Sequence, residues 1–376
     1  MRQIDAECTT DDWPLDYTLR LRKQCLLSQC ALHLTRDDTE TVWLRKSMQN
    51  QFTCGFDLGG TKMLCVILDE KQNVVARKRK KTKGTEGAAA GVARIAELIR
   101  ETFIENGLSQ SELSSIGIGC PGPVDMDNGI VNVAVNLGWK NVPLSAMLED
   151  ELNCPVSVLN DVDAGVFGEY CVGAAVGARS VAGIFPGTGI GGGFVYEGKI
   201  LRGKRSSAME IGHTKIASST RTSGTEMTGT LESEASRLAI AAECAKLAYR
   251  GEAPALLKSA GTDISQIRSK VLASAIRDGD KSVERIVRQA AQTVGFAVVN
   301  LVHMLCPEVI ILGGGLVEAI QEIYLDEVER TAKRNILPCY SDMFEIRMAK
   351  LGDDAGAMGA AIWGRQCAPT TTSTDA

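Results

Sequence analysis

Two glycine-rich turns, each set between runs of β-forming residues, constrain this chain more than any other feature. The first, Asp57-Leu58-Gly59-Gly60, separates Phe52–Phe56 from Lys62–Leu68, and Asn73–Lys80 continues as a third strand. The second, Gly187–Gly193, separates Val181–Phe185 from Phe194–Ile200. Each predicted hairpin opens a stretch of alternating strands and helices. After the first come a helix over Gly91–Glu105, buried strands at Ser115–Gly119 and Pro155–Leu159, and a helix after Asn160-Asp161. After the second come helices over Leu231–Tyr249 and Lys281–Leu305, then the strand Val309–Leu312 running into Gly313-Gly314-Gly315. The repetition predicts a duplicated α/β architecture with a cleft between the halves, suited to a nucleotide whose phosphates are held by both turns.

Glycine is the residue that tight hairpins require, so one such turn alone would signify little. Two of them, with Thr61 and Thr188 adding hydroxyl donors and Asp57 leading the first, fit backbone cradles for an anion. Gly187-Thr188-Gly189-Ile190-Gly191-Gly192 satisfies G-x-G-x-x-G, but a dinucleotide fold needs a helix next and a strand follows here. No G-x-x-x-x-G-K-[ST] sequence occurs, which excludes a P-loop.

Composition removes other classes. With 44% hydrophobic and 23% charged residues among 376, the chain is not of the disordered type, and a net charge of −5 argues against a general nucleic-acid binder. The run Arg77-Lys78-Arg79-Lys80-Lys81 reads as a solvated strand end. No apolar stretch is long enough to span a membrane. The twelve cysteines form no C-x-x-C pair, and scattered thiols suit a reducing cytoplasm. Only three histidines occur, too few for a His-rich metal site. Of the 38 glycines none precedes Gly55, where about five would be expected. The opening segment also has acids where a secretory signal or transit peptide would not. Residues 1–48 are therefore read as an N-terminal extension, containing an amphipathic helix over Tyr17–Leu34 and dispensable for activity. An α/β lobe at 49–164 follows, then a second at 165–366 with a final helix packing back on the first, and a flexible tail at 367–376.

The residues resemble the ROK family (repressors, open reading frames and kinases) of the sugar-kinase/actin-like superfamily. The likeness runs in order through Phe56–Lys62, Gly117–Asp125, Asn136–Trp139, Asn160-Asp161, Gly187–Gly193, Glu210–His213, Gly229–Glu232, Gly313–Gly315 and Leu351–Ala357. It implies a two-lobed actin-like ATPase fold, ribonuclease H-like, with a central cleft. It also implies ATP-dependent phosphorylation of a hexose, glucose first among candidates, in a cytoplasmic homo-oligomer, dimer or tetramer. Its partner would be a small-molecule sugar, with no nucleic acid and no membrane. Asp161 falls on the catalytic aspartate that takes the sugar hydroxyl proton, although an Asp at that place could instead cap the following helix. Asn136, Asn160, Glu210, His213 and Glu232 fall on sugar-binding positions. Asp57, Gly59, Gly60, Thr61, Lys62, Gly187, Thr188, Gly189, Gly313 and Gly314 fall on nucleotide-binding positions, with Asp57 holding magnesium through water.

One departure stands out. The family's structural zinc uses one His and three Cys; His213 is present, but the cysteine positions are Ser223, Thr225 and Thr230. Hydroxyls do not replace thiolates at such a centre, so no zinc is expected, and the loop 214–228 must be held by hydrogen bonds or move. The rival readings are a kinase for N-acetylmannosamine, N-acetylglucosamine, fructose or allose, a polyphosphate-dependent glucokinase using Arg202, Lys204 and Arg205, and a sugar-sensing repressor.

Overall fold

The structure, a computed structural model, describes residues 51–204 and 208–369. The expected helix at 17–34 and extension at 1–48, Arg205 and most of the tail lie outside the described residues.

The first half is built on β1 (Phe52–Leu58), β2 (Lys62–Leu68), β3 (Val74–Lys81) and β4 (Leu113–Cys120), with α1 (Ala88–Glu105) between the last two. Its α1 buries Val92, Ile95, Leu98, Ile99 and Phe103, a stripe of i, i+3, i+4 spacing. A small antiparallel sheet follows: β5 (Val124–Asp125), β6 (Ile130–Ala134) and β7 (Trp139–Val142). Then come α2 (Leu144–Leu152), β8 (Val156–Asn160) and α3 (Asp161–Val172). The main sheet has the order β3-β2-β1-β4-β8, antiparallel across β1/β2 and β2/β3 and parallel across β1/β4 and β4/β8.

The second half repeats that plan. It begins with β9 (Ser180–Pro186), β10 (Ile190–Tyr196) and β11 (Lys199–Ile200). Helices α4 (Leu231–Ala235), α5 (Arg237–Tyr249), α6 (Pro254–Ala260), α7 (Ser269–Arg277) and α8 (Lys281–Leu305) precede β12 (Val309–Leu312). After it come α9 (Gly315–Ala319), α10 (Gln321–Asn335), β13 (Glu345–Met348) and α11 (Ala355–Cys367). The sheet order β11-β10-β9-β12-β13, with the same parallel and antiparallel pairings, is the strand-for-strand equivalent of the first.

Three local departures from the sequence reading have clear causes. The helix expected over 231–249 is two helices, because Ser236 takes an extended conformation and its side chain caps α5 by accepting from the Ala239 N–H. The second turn is shorter than expected: Gly191, Gly192 and Gly193 lie in β10, where a Cβ would meet Val162, Ile211 and Val166 respectively. They serve close packing rather than the turn. The basic run on β3 is only partly solvated. Lys78 and Lys80 pair with Glu101 on α1, while Arg77 and Arg79 reach Asp354 and Asp353 across the sheet.

The two halves are joined through their last helices. Helix α3, which completes the first half, packs on β9 and β10 of the second, while α11, which completes the second, lies across β1 and β4 of the first. The approach is close. A Cβ on Gly117 would sit 1.7 Å from the Ala360 carbonyl oxygen, and one on Gly55 1.9 Å from that of Ala357. Where α3 and α11 cross, Gly359 meets the Ala164 carbonyl and Gly168 that of Ala355. Leu64, Val66 and Leu68 share a core cluster with Val166, Val181, Ala357 and Ala361, while Met63, Cys65 and Ile67 face the other way, toward α1. Burial of both faces explains why β2 reads as an unbroken apolar run.

Candidate active site

Parallel strands β1 and β8 carry the central acids. Asp57 is the next-to-last residue of β1; Asp161 immediately follows β8 as the first residue of α3. The cap of that helix is Asn160, whose Oδ1 accepts from the N–H groups of Val162 (2.8 Å) and Asp163 (3.2 Å). Its Nδ2 donates to the Gly122 carbonyl at 3.2 Å. The capping job open to Asp161 is therefore done by its neighbour. Asp161 Oδ1 accepts from Val162 N–H at 2.9 Å, which fixes the carboxylate's direction.

Asp57 and Asp161 line one cleft of about 280 Å³ together with Phe185, Gly314, Glu318 and Asp353. Burial, and then the Asp161 and Asp353 carboxylates, push Asp57 up to about 7. Burial also raises Asp161, with Glu210 adding to it and the Val162 N–H opposing it. A buried acid pair of this kind either shares protons or awaits a cation. The cleft continues past Asp57 into a second space lined by Gly59, Thr61, Lys62, Arg79 and Asp353, beside the first turn. Thr82 closes that turn, donating from its hydroxyl to the Gly59 carbonyl at 2.6 Å.

The other predicted residues fall into three places. Asn136, exposed in the 3-10 turn Val135–Leu137, stands against the first turn: a Cβ on Gly60 would lie 2.7 Å from its own. Glu232 and His213 gather at the start of β10. Glu232 Oε2 accepts from the Ile190 N–H at 3.0 Å, and His213 Nε2 lies 3.9 Å from the exposed Glu210 carboxylate. In the second turn Gly187 N–H donates to the Gly189 carbonyl at 2.8 Å. Gly313 and Gly314 border Phe185 and Pro186 too tightly for a side chain, and Gly314 has φ +87°. A larger cavity of about 520 Å³ borders the second turn, lined by Thr188, Arg221, Ser223, Glu232 and Lys246. It holds neither aspartate.

The hydroxyl residues Ser223, Thr225 and Thr230 are engaged locally. Ser223 Oγ and Thr225 Oγ1 are 2.8 Å apart, and Thr230 caps α4 reciprocally with Ser233. Lys215 ties the loop's two arms by donating to Thr228, and Thr222 bridges Thr228. Among the described residues no three His, Cys, Asp or Glu side chains come together as a metal cluster. Glu318, Asp353, Phe185 and Arg79 line the cleft although sequence reasoning did not single them out. Asp353 lies in the Leu351–Ala357 stretch that carries the family likeness.

Two equivalent α/β halves, each opened by a glycine turn and together enclosing an acidic cleft, define the two-lobed actin-like class of sugar kinases. Residues 53–367 match the ROK family, and the chain belongs to it. A glucokinase of Halalkalibacterium halodurans is 34% identical over 316 residues, 83% of this chain and 94% of that one. An N-acetyl-D-glucosamine kinase of Vibrio parahaemolyticus is 31% identical over 82% of this chain and 98% of its own length. Among solved structures, a ROK family glucokinase from Streptomyces griseus in complex with glucose and AMPPNP superposes with a TM-score of 0.72 at 30% identity. That match covers 84% of this chain and 99% of the other.

Proposed function

We propose that the protein transfers the γ-phosphoryl group of ATP to a hexose hydroxyl, converting glucose to glucose 6-phosphate, with Asp161 as general base. The observation that carries this reading is the Asp57–Asp161 pair at the ends of β1 and β8, in one cleft with Gly314. Similarity to the two kinases and to the glucose- and AMPPNP-bound structure supports it. Asp161 removes the hydroxyl proton as the sugar oxygen bonds to the γ-phosphorus and the bond to the β-phosphate oxygen breaks, releasing ADP. Its raised pKa makes it a stronger base than an exposed carboxylate, and its hydrogen bond from Val162 N–H keeps it aimed.

The carboxylates of Asp57 and Asp161 form a hard oxygen donor set, crowded enough that Asp57 is driven to about 7. That fits magnesium, which favours such ligands and retains several waters. Asp57 would hold the ion, and bound there it supplies charge neutralisation on the donor phosphates. The turn 59–61 and residues 188–189, held by the Gly187 N–H on the Gly189 carbonyl, present backbone N–H groups to those phosphates, while Gly313 and Gly314 leave room for the nucleoside. Glu210, His213, Glu232, Asn136 and Asn160 orient the sugar hydroxyls.

A polyphosphate donor is less well served, because Arg202 is engaged with Asp127 at 2.7 Å and Glu318 and Asp353 add negative charge to the cleft. An N-acetylated hexose is the second reading, supported by the Vibrio relative. An ADP-release assay across glucose, N-acetylglucosamine, N-acetylmannosamine, fructose and allose, with Asp161→Asn as control, tests all of these. Failure of every sugar to stimulate turnover rejects the kinase reading.

A further inference from the structure

The second turn is gripped by one residue from both sides. Arg237, the first residue of α5, donates its backbone N–H to the Gly187 carbonyl at 2.9 Å and its Nη2 to Thr188 Oγ1 at 2.7 Å. A threonine hydroxyl has a single proton. With one lone pair occupied by the guanidinium, the Thr188 O–H is turned away from Arg237 and left to donate elsewhere. The location is also electrostatically odd. A helix N-terminus favours acids, yet α5 begins with an arginine that no carboxylate pairs with among the described residues. Arg268, likewise without a carboxylate partner, adds a second positive charge close enough to push the Arg237 guanidinium below its ordinary pKa, after burial. Two guanidiniums without ion-pair partners and a helix N-terminus thus stand beside the glycine turn, with the Glu232 carboxylate on the Ile190 N–H as the negative charge at that turn.

We propose that Arg237 is a positioning residue for phosphoryl transfer, holding the Thr188 hydroxyl as a hydrogen-bond donor to the terminal phosphates of the nucleotide. The inference rests on the reading of residues 187–189 as a phosphate turn. It adds a selectivity device that acts on the donor and not on the sugar.

The test is steady-state kinetics on the full chain with Arg237→Ala, Arg237→Lys, Thr188→Val and the Arg237→Ala/Thr188→Val double variant. Charge-assisted hydrogen bonds of this type correspond to about a 10-fold effect. Arg237→Ala is expected to raise the KM for ATP about that much and to weaken competitive inhibition by inorganic tripolyphosphate equally. The KM for the sugar should stay within about twofold. Because the two residues act as a unit, the double variant should be no worse than the more severe single one. Arg237→Lys, which keeps the charge and loses the planar fork, should fall between, and it serves as the readout if the alanine variant does not fold. An unchanged KM for ATP, equal losses for ATP and sugar, or losses that multiply in the double variant would overturn the proposal. A wild-type chain that phosphorylates no sugar overturns the kinase reading beneath it. An active wild type with an indifferent Arg237 overturns this inference alone.

Discussion

The two halves share a strand order but not a chemistry. In the first, the residue after Phe56 is Asp57, and the matching strand β8 ends against Asp161. In the second, the residue after Phe185 is Pro186, and its turn is tied to Arg237 instead. Duplication therefore supplies two similar backbone turns, while departures from symmetry place an aspartate just before the first turn and an arginine against the second. The halves also differ in what presses on their sheets. Backbone carbonyls of α11 approach Gly55 and Gly117 in the first, whereas Val162 and Val166 side chains of α3 approach Gly183, Gly191 and Gly193 in the second. Backbone cannot yield; a valine methyl can.

Four substitutions probe this contrast. Asp161→Asn should cost most, lowering kcat by about 10²–10⁴-fold with the KM for ATP little changed. A fully active variant would move the acid–base role away from the first half. Asp57→Asn should lower kcat about 10²–10³-fold in single-turnover assays. It should also alter stability in the opposite sense. A carboxyl whose folded pKa is about 7, against an ordinary 3.8, binds its proton more tightly in the folded state. Folding stability then falls as pH rises through that window. Without magnesium, the variant should therefore melt above wild type at pH 8 and the advantage should vanish toward pH 4, as read by calorimetry. Equal melting temperatures at pH 8 would remove Asp57 from the buried acid pair.

The packing contrast comes next in size. Gly117→Ala must displace the α11 backbone and should destabilise by about 3 kcal/mol or more, measured by urea titration. Gly191→Ala meets only the tip of Val162, at 2.5 Å, and should cost about 1 kcal/mol. Equal costs would show that the two sheets are held with equal rigidity.

Much of this was legible in the residues. The two hairpins, the strand leading to Asn160-Asp161 and the long helix α8 follow from glycine placement and periodicity, which are local properties. The small sheet β5–β7 was not legible, since its strands are two to five residues long and lie among turn-forming residues. Nor was the break at Ser236, where one side-chain cap overrides a continuous helical pattern. The site divides the same way. Asp57 and Asp161 sit at strand ends that sequence marks. Glu318 and Asp353 reach the cleft only through the packing of two segments, each more than about 150 residues beyond Asp161, and at Glu318 nothing local announces it. Asn160 shows a subtler limit: its place was predicted, but its capping of α3 depends on geometry that distinguishes three adjacent polar residues only once folded.

The crossing of α3 and α11 has a consequence for how the molecule is made. On a ribosome the first sheet is complete in sequence once Asn160 has emerged, yet the surface bearing Gly55 and Gly117 stays bare until Ala357–Ala361 have been synthesised. Chains made from the N-terminus ordinarily finish one domain before starting the next. This one must leave its first half uncovered and close both with its last helix. A stop codon a few dozen residues early would thus remove the lid of the first half, not merely the end of the second.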